Sequence, residues 1–188
     1  MRFWRKKRLT GMRLFTVGST MPNQATWLDD PQSFHAWDTA GELDLPVCMQ
    51  MSPPGIPQLT VLLKRFPEVR VILDHCARPV LDDGPPYAQA ASLLALAQYP
   101  NVYLKVTPRS FLEARRGQAT PETFFARLVA EFGASRIAWG SNYPASEGAL
   151  DELLALARSS LTSLPQSDRD FIFAKTAQTL YPALADRA

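Results

Sequence analysis

Histidine is nearly absent from this chain: His35 and His75 are the only two among 188 residues. A catalytic zinc site draws on about three protein ligands plus water, and a histidine-built metal centre is therefore out of reach. Cysteine is as scarce. Cys48 and Cys76 show no CxxC spacing and make no disulfide framework, which points to a reduced, cytoplasmic setting. The nine glycines include no G-x-G-x-x-G or G-x-x-x-x-G-K-[ST] arrangement, so a Rossmann or P-loop phosphate cradle is not expected. No apolar run approaches the ~20 residues that span a bilayer. No apolar stretch follows the N-terminal basic residues, as it would in a secretory signal. The net charge of +2 is too small to argue for a nucleic-acid surface. The basic cluster Arg2-Phe3-Trp4-Arg5-Lys6-Lys7-Arg8 could meet phosphates or anionic lipid, but reads better as a solvated helix end.

What is present is a globular composition, 46% apolar and 20% charged, long enough for one domain, 1–188, with a real core. Strand-like and helix-like segments alternate along it. Gly11 to Thr16 reads as a strand, followed by a loop and a helix from Asp30-Pro31 to about Leu43, with Asp30 as cap and proline in the first turn. Pro46 to Met51 is the next apolar run, in which Met49 and Met51 read as core filler. Leu59, Leu62, Leu63 and Phe66 then form a helical stripe from Ile56 onward. Val69 to Leu73 is a strand, Tyr87 to Gln98 an alanine- and leucine-rich helix, and Asn101 to Val106 a strand. Thr120-Pro121 repeats the cap-plus-proline start of a helix that stops at Gly133, and Arg136 to Gly140 is the last strand. Helices from about Glu147 to Leu161 and from Ser167 to Tyr181 close the chain, the second opened by a Ser167/Asp170 capping box. Strands alternating with helices at this spacing mean a parallel α/β sheet, open or closed as a barrel.

Two short segments carry the chemistry. Val71-Ile72-Leu73-Asp74-His75 and Arg136 through Pro144 are apolar runs ending in polar residues, and ligands of parallel sheets bind beyond the carboxyl ends of the strands. His75 is either a site residue or a structural histidine bonded to a loop carbonyl. Arg13, on a strand among apolar neighbours, either holds a substrate carboxylate or pairs with Asp38 or Asp74. Lys105 is a substrate anchor or general acid, or a structural partner of Asp74 on the neighbouring strand. Trp139 reads as core, Tyr143 as a pocket-lining side chain, and His35 as an ordinary helix residue.

The ordered series Gly11-Met12-Arg13-Leu14, Leu45-Pro46-Val47, Leu73 through Pro79, Val102-Tyr103-Leu104-Lys105 and Trp139 through Pro144 resembles the amidohydrolase-related family. It is similar to the branch that includes 2-pyrone-4,6-dicarboxylate lactonases. The resemblance covers nearly the whole chain and corresponds to the carboxyl-terminal two-thirds of the family. It implies a parallel (β/α) barrel of the TIM type, incomplete, with about five of eight strands present. It further implies a hydrolase acting on a carboxylated lactone, ester or amide by attack of water on a carbonyl. His75 and Asn142 would then be the catalytic positions, and Arg13, Gln50, Lys105 and Tyr143 would bind substrate. Three departures stand out. Asn142 replaces the family's aspartate base, and an amide accepts no proton at neutral pH. Gln50 stands where many members place a metal-binding histidine. The first-strand His-x-His is missing.

No metal is therefore expected on this chain, although zinc is expected in full-length relatives. By strand alternation, Cys76 and Asp74 are expected to point away from a mouth faced by His75. The alternative is a catalytically inactive barrel fragment or a subunit needing a partner chain. A homo-oligomer or a missing N-terminal segment would cover the exposed sheet edges.

Overall fold

A computed structural model describes residues 1–17 and 27–187. The loop expected before the first long helix falls largely on residues 18–26, outside the described residues. A short helix α1 (Arg2–Lys6) precedes β1 (Met12–Phe15), α2 (Pro31–Glu42), β2 (Val47–Gln50), α3 (Ile56–Arg65) and β3 (Val71–Asp74). Then come α4 (Ala91–Leu94), β4 (Val102–Val106), α5 (Pro108–Glu113), α6 (Pro121–Phe132), β5 (Ile137–Trp139), α7 (Leu150–Ser160), α8 (Gln166–Asp170) and α9 (Thr176–Leu180).

The five strands form one sheet in the order β1-β2-β3-β4-β5, every pair parallel. A doubly wound sheet reverses its strand order at a switch point. This order never reverses, so the sheet is singly wound: an arc of a TIM-type barrel, with β1 and β5 at its edges. Alternation divides the strands cleanly. Val47, Met49, Val71, Leu73, Leu104 and Ile137 pack into the main core with Leu59, Leu62 and Leu63 of α3 and Phe124 and Leu128 of α6. Cys48, Ile72 and Ala138 face the concave side, where Leu180, Tyr103 and Tyr181 form a second, smaller cluster. Asp30 caps α2 by accepting from the Gln32 N–H at 2.8 Å, and Thr120 caps α6 through the Thr123 N–H at 3.2 Å.

Three local readings differ from the sequence expectation. The Tyr87–Gln98 segment is not one α-helix; 3₁₀ turns at Ala88–Ala90 and Ala95–Gln98 flank α4. Tyr87, Ala90, Leu93 and Leu96 are buried at every third position, the period of a 3₁₀ turn, with Leu94 buried beside them in α4, and tertiary packing overrides alanine's α preference. Ser167 makes no cap: α8 starts behind Pro165, which puts Ser167 inside the helix, and Asp170 is held by Gln166 at 2.6 Å. Helix α5 was not anticipated, although Thr107-Pro108 repeats the cap-plus-proline signal of Thr120-Pro121.

Leu104 is fully buried on the helix-facing side of β4, whereas Val61 on α3 is 45% exposed. Leu104→Ala should cost about 2–5 kcal/mol in urea unfolding, and Val61→Ala less than about 1 kcal/mol. Equal losses would place the core elsewhere.

Candidate active site at the carboxyl ends of the strands

Neighbouring strands bring three charged side chains together on the concave side. Asp74 at the end of β3 is 2% exposed; its Oδ2 accepts from Arg13 Nη2 of β1 at 2.5 Å and its Oδ1 from Lys105 Nζ of β4 at 2.5 Å. Arg13 also donates to Gln50 Oε1 of β2 at 2.7 Å. Burial pushes the Asp74 carboxyl up, but the Lys105 and Arg13 cations outweigh it and hold the group below its usual range. Burial likewise pulls Lys105 down, and its contacts with Cys48 and Asp74 more than restore the ammonium. Gly140 makes room for the Lys105 stem, because a Cβ there would sit 2.9 Å from Lys105 Cδ.

Asp74 therefore faces the mouth rather than away from it: Ile72 lies on the concave side, so alternation carries Asp74 there too, and it is His75 that breaks the alternation. The reason is local. Strand geometry ends at Asp74, and the next four residues, His75 to Arg78, are all left-handed, with φ of 54°, 54°, 55° and 54°. Such residues cost about 1–2 kcal/mol each for L-amino acids, and they cluster at functional sites. This turn swings His75 onto the same side as Asp74 and buries Cys76, whose Sγ lies 3.7 Å from the Lys105 carbonyl and 4.0 Å from Ser110 Oγ.

His75 is bonded not to a loop carbonyl but to a side chain: its Nδ1 lies 2.8 Å from Thr107 Oγ1, and Thr107 is fully buried. Burial, reinforced by Arg78, Arg109 and Lys105, pushes the imidazole down to about 4, with Asp74 opposing, and the ring is neutral at pH 7. The contact satisfies both buried atoms at once; with the Thr107 hydroxyl donating to Nδ1, the ring proton sits on Nε2.

A cleft of about 720 Å³ opens over these groups, lined by Arg13, Gln50, His75, Arg78, Arg109 and Asn142, with Phe15, Leu112, Leu153 and Leu156 as apolar wall. A second cavity of about 590 Å³ adjoins it and adds Cys48, Asp74, Lys105, Thr107, Tyr143 and Tyr181. Asn142, itself left-handed at φ 53°, spends its amide N–H on Ser146 Oγ at 3.0 Å. Tyr143 is 57% exposed at the rim. All six residues named from the sequence thus reach the two adjoining cavities. Arg78, Arg109 and Thr107 were missed. Arg78 lay within the quoted Leu73–Pro79 motif, and Arg109 and Thr107 flank the proline of the unrecognised α5 start.

The donor set does not fit a catalytic zinc ion. Among the described residues no three His, Cys, Asp or Glu side chains come together in a group that could hold a metal. Asp74, the carboxylate preceding His75, already accepts from two cations, and Glu113 across the cleft pairs with Arg116.

The family model described as Amidohydrolase matches residues 2–183, and the chain belongs to that family. An L-fucono-1,5-lactonase of Burkholderia ambifaria is 31% identical over 121 residues, covering 64% of this chain and 42% of that protein. The chain spans less than half the length of the curated relatives it matches. Among solved structures, a putative 2-pyrone-4,6-dicarboxylic acid hydrolase of Pseudomonas putida superposes with a TM-score of 0.75 at 22% identity, over 100% of this chain and 68% of that one. A zinc-bound amidohydrolase of Burkholderia multivorans gives a TM-score of 0.75 at 18% identity, over 96% and 69%. These structures establish the barrel fold and its partial extent here.

The depressed His75 pKa fixes a pH dependence of stability. Between about 4 and 6.5 the unfolded chain binds a proton that the folded one does not, so unfolding free energy should fall with falling pH across that window. Urea midpoints for His75→Gln should lose this slope between pH 6.5 and 4. An unchanged slope would mean that His75 is not held neutral.

Proposed function

We propose that this chain carries the substrate side of a hydrolase acting on a carboxylated lactone, ester or amide through attack of water on the carbonyl. One observation carries the reading: Arg78, Arg109 and Arg13 converge on the same cleft as a neutral histidine. A guanidinium holds a carboxylate bidentately. A neutral His75 with its proton on Nε2 donates to a carbonyl oxygen and strengthens as that oxygen gains charge. Lys105 and Arg13 add positive potential, Gln50 and Tyr143 contribute hydrogen bonds, and the apolar wall suits the ring of a lactone. His75 is thus read as a hydrogen-bond donor to the carbonyl rather than as a proton carrier, since a group titrating near 4 is a weak base at neutral pH.

The family match and the lactonase named among the relatives support this reading over a catalytically inert chain. The lactone hydrolysed by that relative is its own, and the arginine cluster is what favours a carboxylated substrate here. The same reading leaves the edge strands β1 and β5 to be covered by further barrel strands or by a second copy. Two free thiols, and no described helix long and apolar enough to cross a membrane, suit the reducing cytoplasm proposed for it.

Two kinetic signatures test the proposal. Against a panel of carboxylated and neutral lactones, Arg109→Gln should raise KM for the carboxylated members by about 10–100-fold, the worth of a charge-assisted hydrogen bond, and leave neutral ones unchanged. With no neutral-range base at position 142, kcat/KM should climb with pH from 6 to 9. Asn142→Asp should flatten that climb and raise the rate at pH 7, by up to about 100-fold or more if the new carboxylate acts as base. Turnover of neutral lactones alone, or of none in the panel, would overturn the assignment.

A further inference from the structure

The hydrolase reading leaves one nucleophilic side chain unused. Cys48, on the concave face of β2, is 6% exposed and borders the cavity of about 590 Å³ that also holds Asp74, Lys105 and Tyr181. Lys105 Nζ lies 3.4 Å from Cys48 Sγ while its other contact, Asp74 Oδ1, is at 2.5 Å. The ammonium is thereby fixed on its carboxylate and donates toward the sulfur of a thiol that burial pushes up to about 11, so both groups rest protonated with N and S held in contact. Cys76 provides the contrast. It is fully buried, and its partners are a backbone carbonyl and a serine hydroxyl rather than an amine.

We propose that Cys48 and Lys105 form an oxidative modification site, closing a covalent N–O–S bridge between Nζ and Sγ with molecular oxygen as the oxidant. Addition of dioxygen at the thiol gives a sulfur-bound O–OH group, and attack of the Lys105 nitrogen on the sulfur-bound oxygen expels water and closes the bridge across the 3.4 Å gap. The balance is Lys–NH3⁺ + Cys–SH + O2 → Lys–NH–O–S–Cys + H2O + H⁺. Sulfur and nitrogen each give up two electrons and dioxygen takes all four. The S–H bond and one N–H bond are replaced by O–S and N–O bonds, the second oxygen atom leaves as water, and the ammonium's remaining acidic proton is released to solvent through the cavity. Closure removes the Lys105 charge from the mouth, leaving Arg13 as the sole cation bonded to Asp74. The bridge stands independently of the hydrolase assignment, because its signature is a mass.

The test compares chain held in air-saturated buffer with chain held anaerobically. Aerobic protein should gain about 14 Da, one oxygen in and two hydrogens out, and return to the starting mass with dithiothreitol, as a reversible cysteine oxidation does. Trypsin should then fail to cleave after Lys105, and the peptides carrying Cys48 and Lys105 should appear joined. Lys105→Arg, which keeps a cation for Asp74, and Cys48→Ser should each abolish the gain, and Cys76→Ser should retain it. Oxidation found only as sulfenic or sulfinic acid or as a disulfide, with Lys105 still cleaved, would overturn the proposal, as would an unchanged mass.

Discussion

The Asp74 carboxylate, buried between two cations on two other strands, is the constraint on which the rest of the site depends. A lone buried carboxylate would be strongly disfavoured, and so would an arginine and a lysine facing each other inside a barrel. Together they form a bridge from β1 across β3 to β4. The bridge fixes the relative height of these strands and aims Arg13 at Gln50. It also consumes the lone pairs that a metal or a proton would otherwise use. This carboxylate therefore acts through the cations it holds.

The four residues after Asp74 complete the arrangement. Had β3 continued, His75 would have turned toward the helices. The left-handed run from His75 to Arg78 instead delivers imidazole and guanidinium to the cleft, and Thr107, at the threshold of α5, locks the ring from behind. The strain of that turn is supported by packing on both sides, since Cys76 and Ala77 are fully buried. Two loops at the ends of adjacent strands thus build one hydrogen-bonded unit, Thr107 to His75, and neither loop would hold the ring alone.

Much of this was legible in the sequence, for identifiable reasons. The alternation of apolar runs with capped helices declared the parallel sheet, because Asp30-Pro31 and Thr120-Pro121 are local signals with local causes. Arg13 and Lys105 stand out in the sequence as charges on apolar strands, whereas Gln50 and Asn142 are reached only through the family resemblance. The expected direction of Asp74 is wrong because it counts alternation from His75, the first residue beyond the extended strand; nothing in Asp-His-Cys-Ala-Arg announces four left-handed residues that lack glycine, and these bring His75 to the same side as Asp74. The choice between pairing Arg13 with Asp38 or Asp74 was likewise set by register, Asp74 opposite Lys105 and Arg13 opposite Cys48, which spacing does not encode. Arg109 escaped notice because α5 is only six residues long, too short for a periodic signal.

The asparagine at position 142 acquires a physical meaning from the charges around it. With His75 neutral, the two cavities are lined by the cations Arg13, Arg78, Lys105, Arg109 and Arg116 against the carboxylates Asp74, Glu113 and Glu147, and Glu113 is engaged by Arg116 at 3.4 Å. The mouth is electropositive, and the low-dielectric walls of a cleft concentrate such a field on an incoming anion. A carboxylate at position 142 would supply a base but would also cancel part of that potential and compete with a substrate carboxylate for the arginines. An amide preserves the field and still offers a carbonyl oxygen, since its N–H is spent on Ser146. On the proposed hydrolase reading, such a site would favour capturing and polarising an anionic carbonyl compound over activating water. That trade separates this chain from the aspartate-bearing pattern it otherwise resembles.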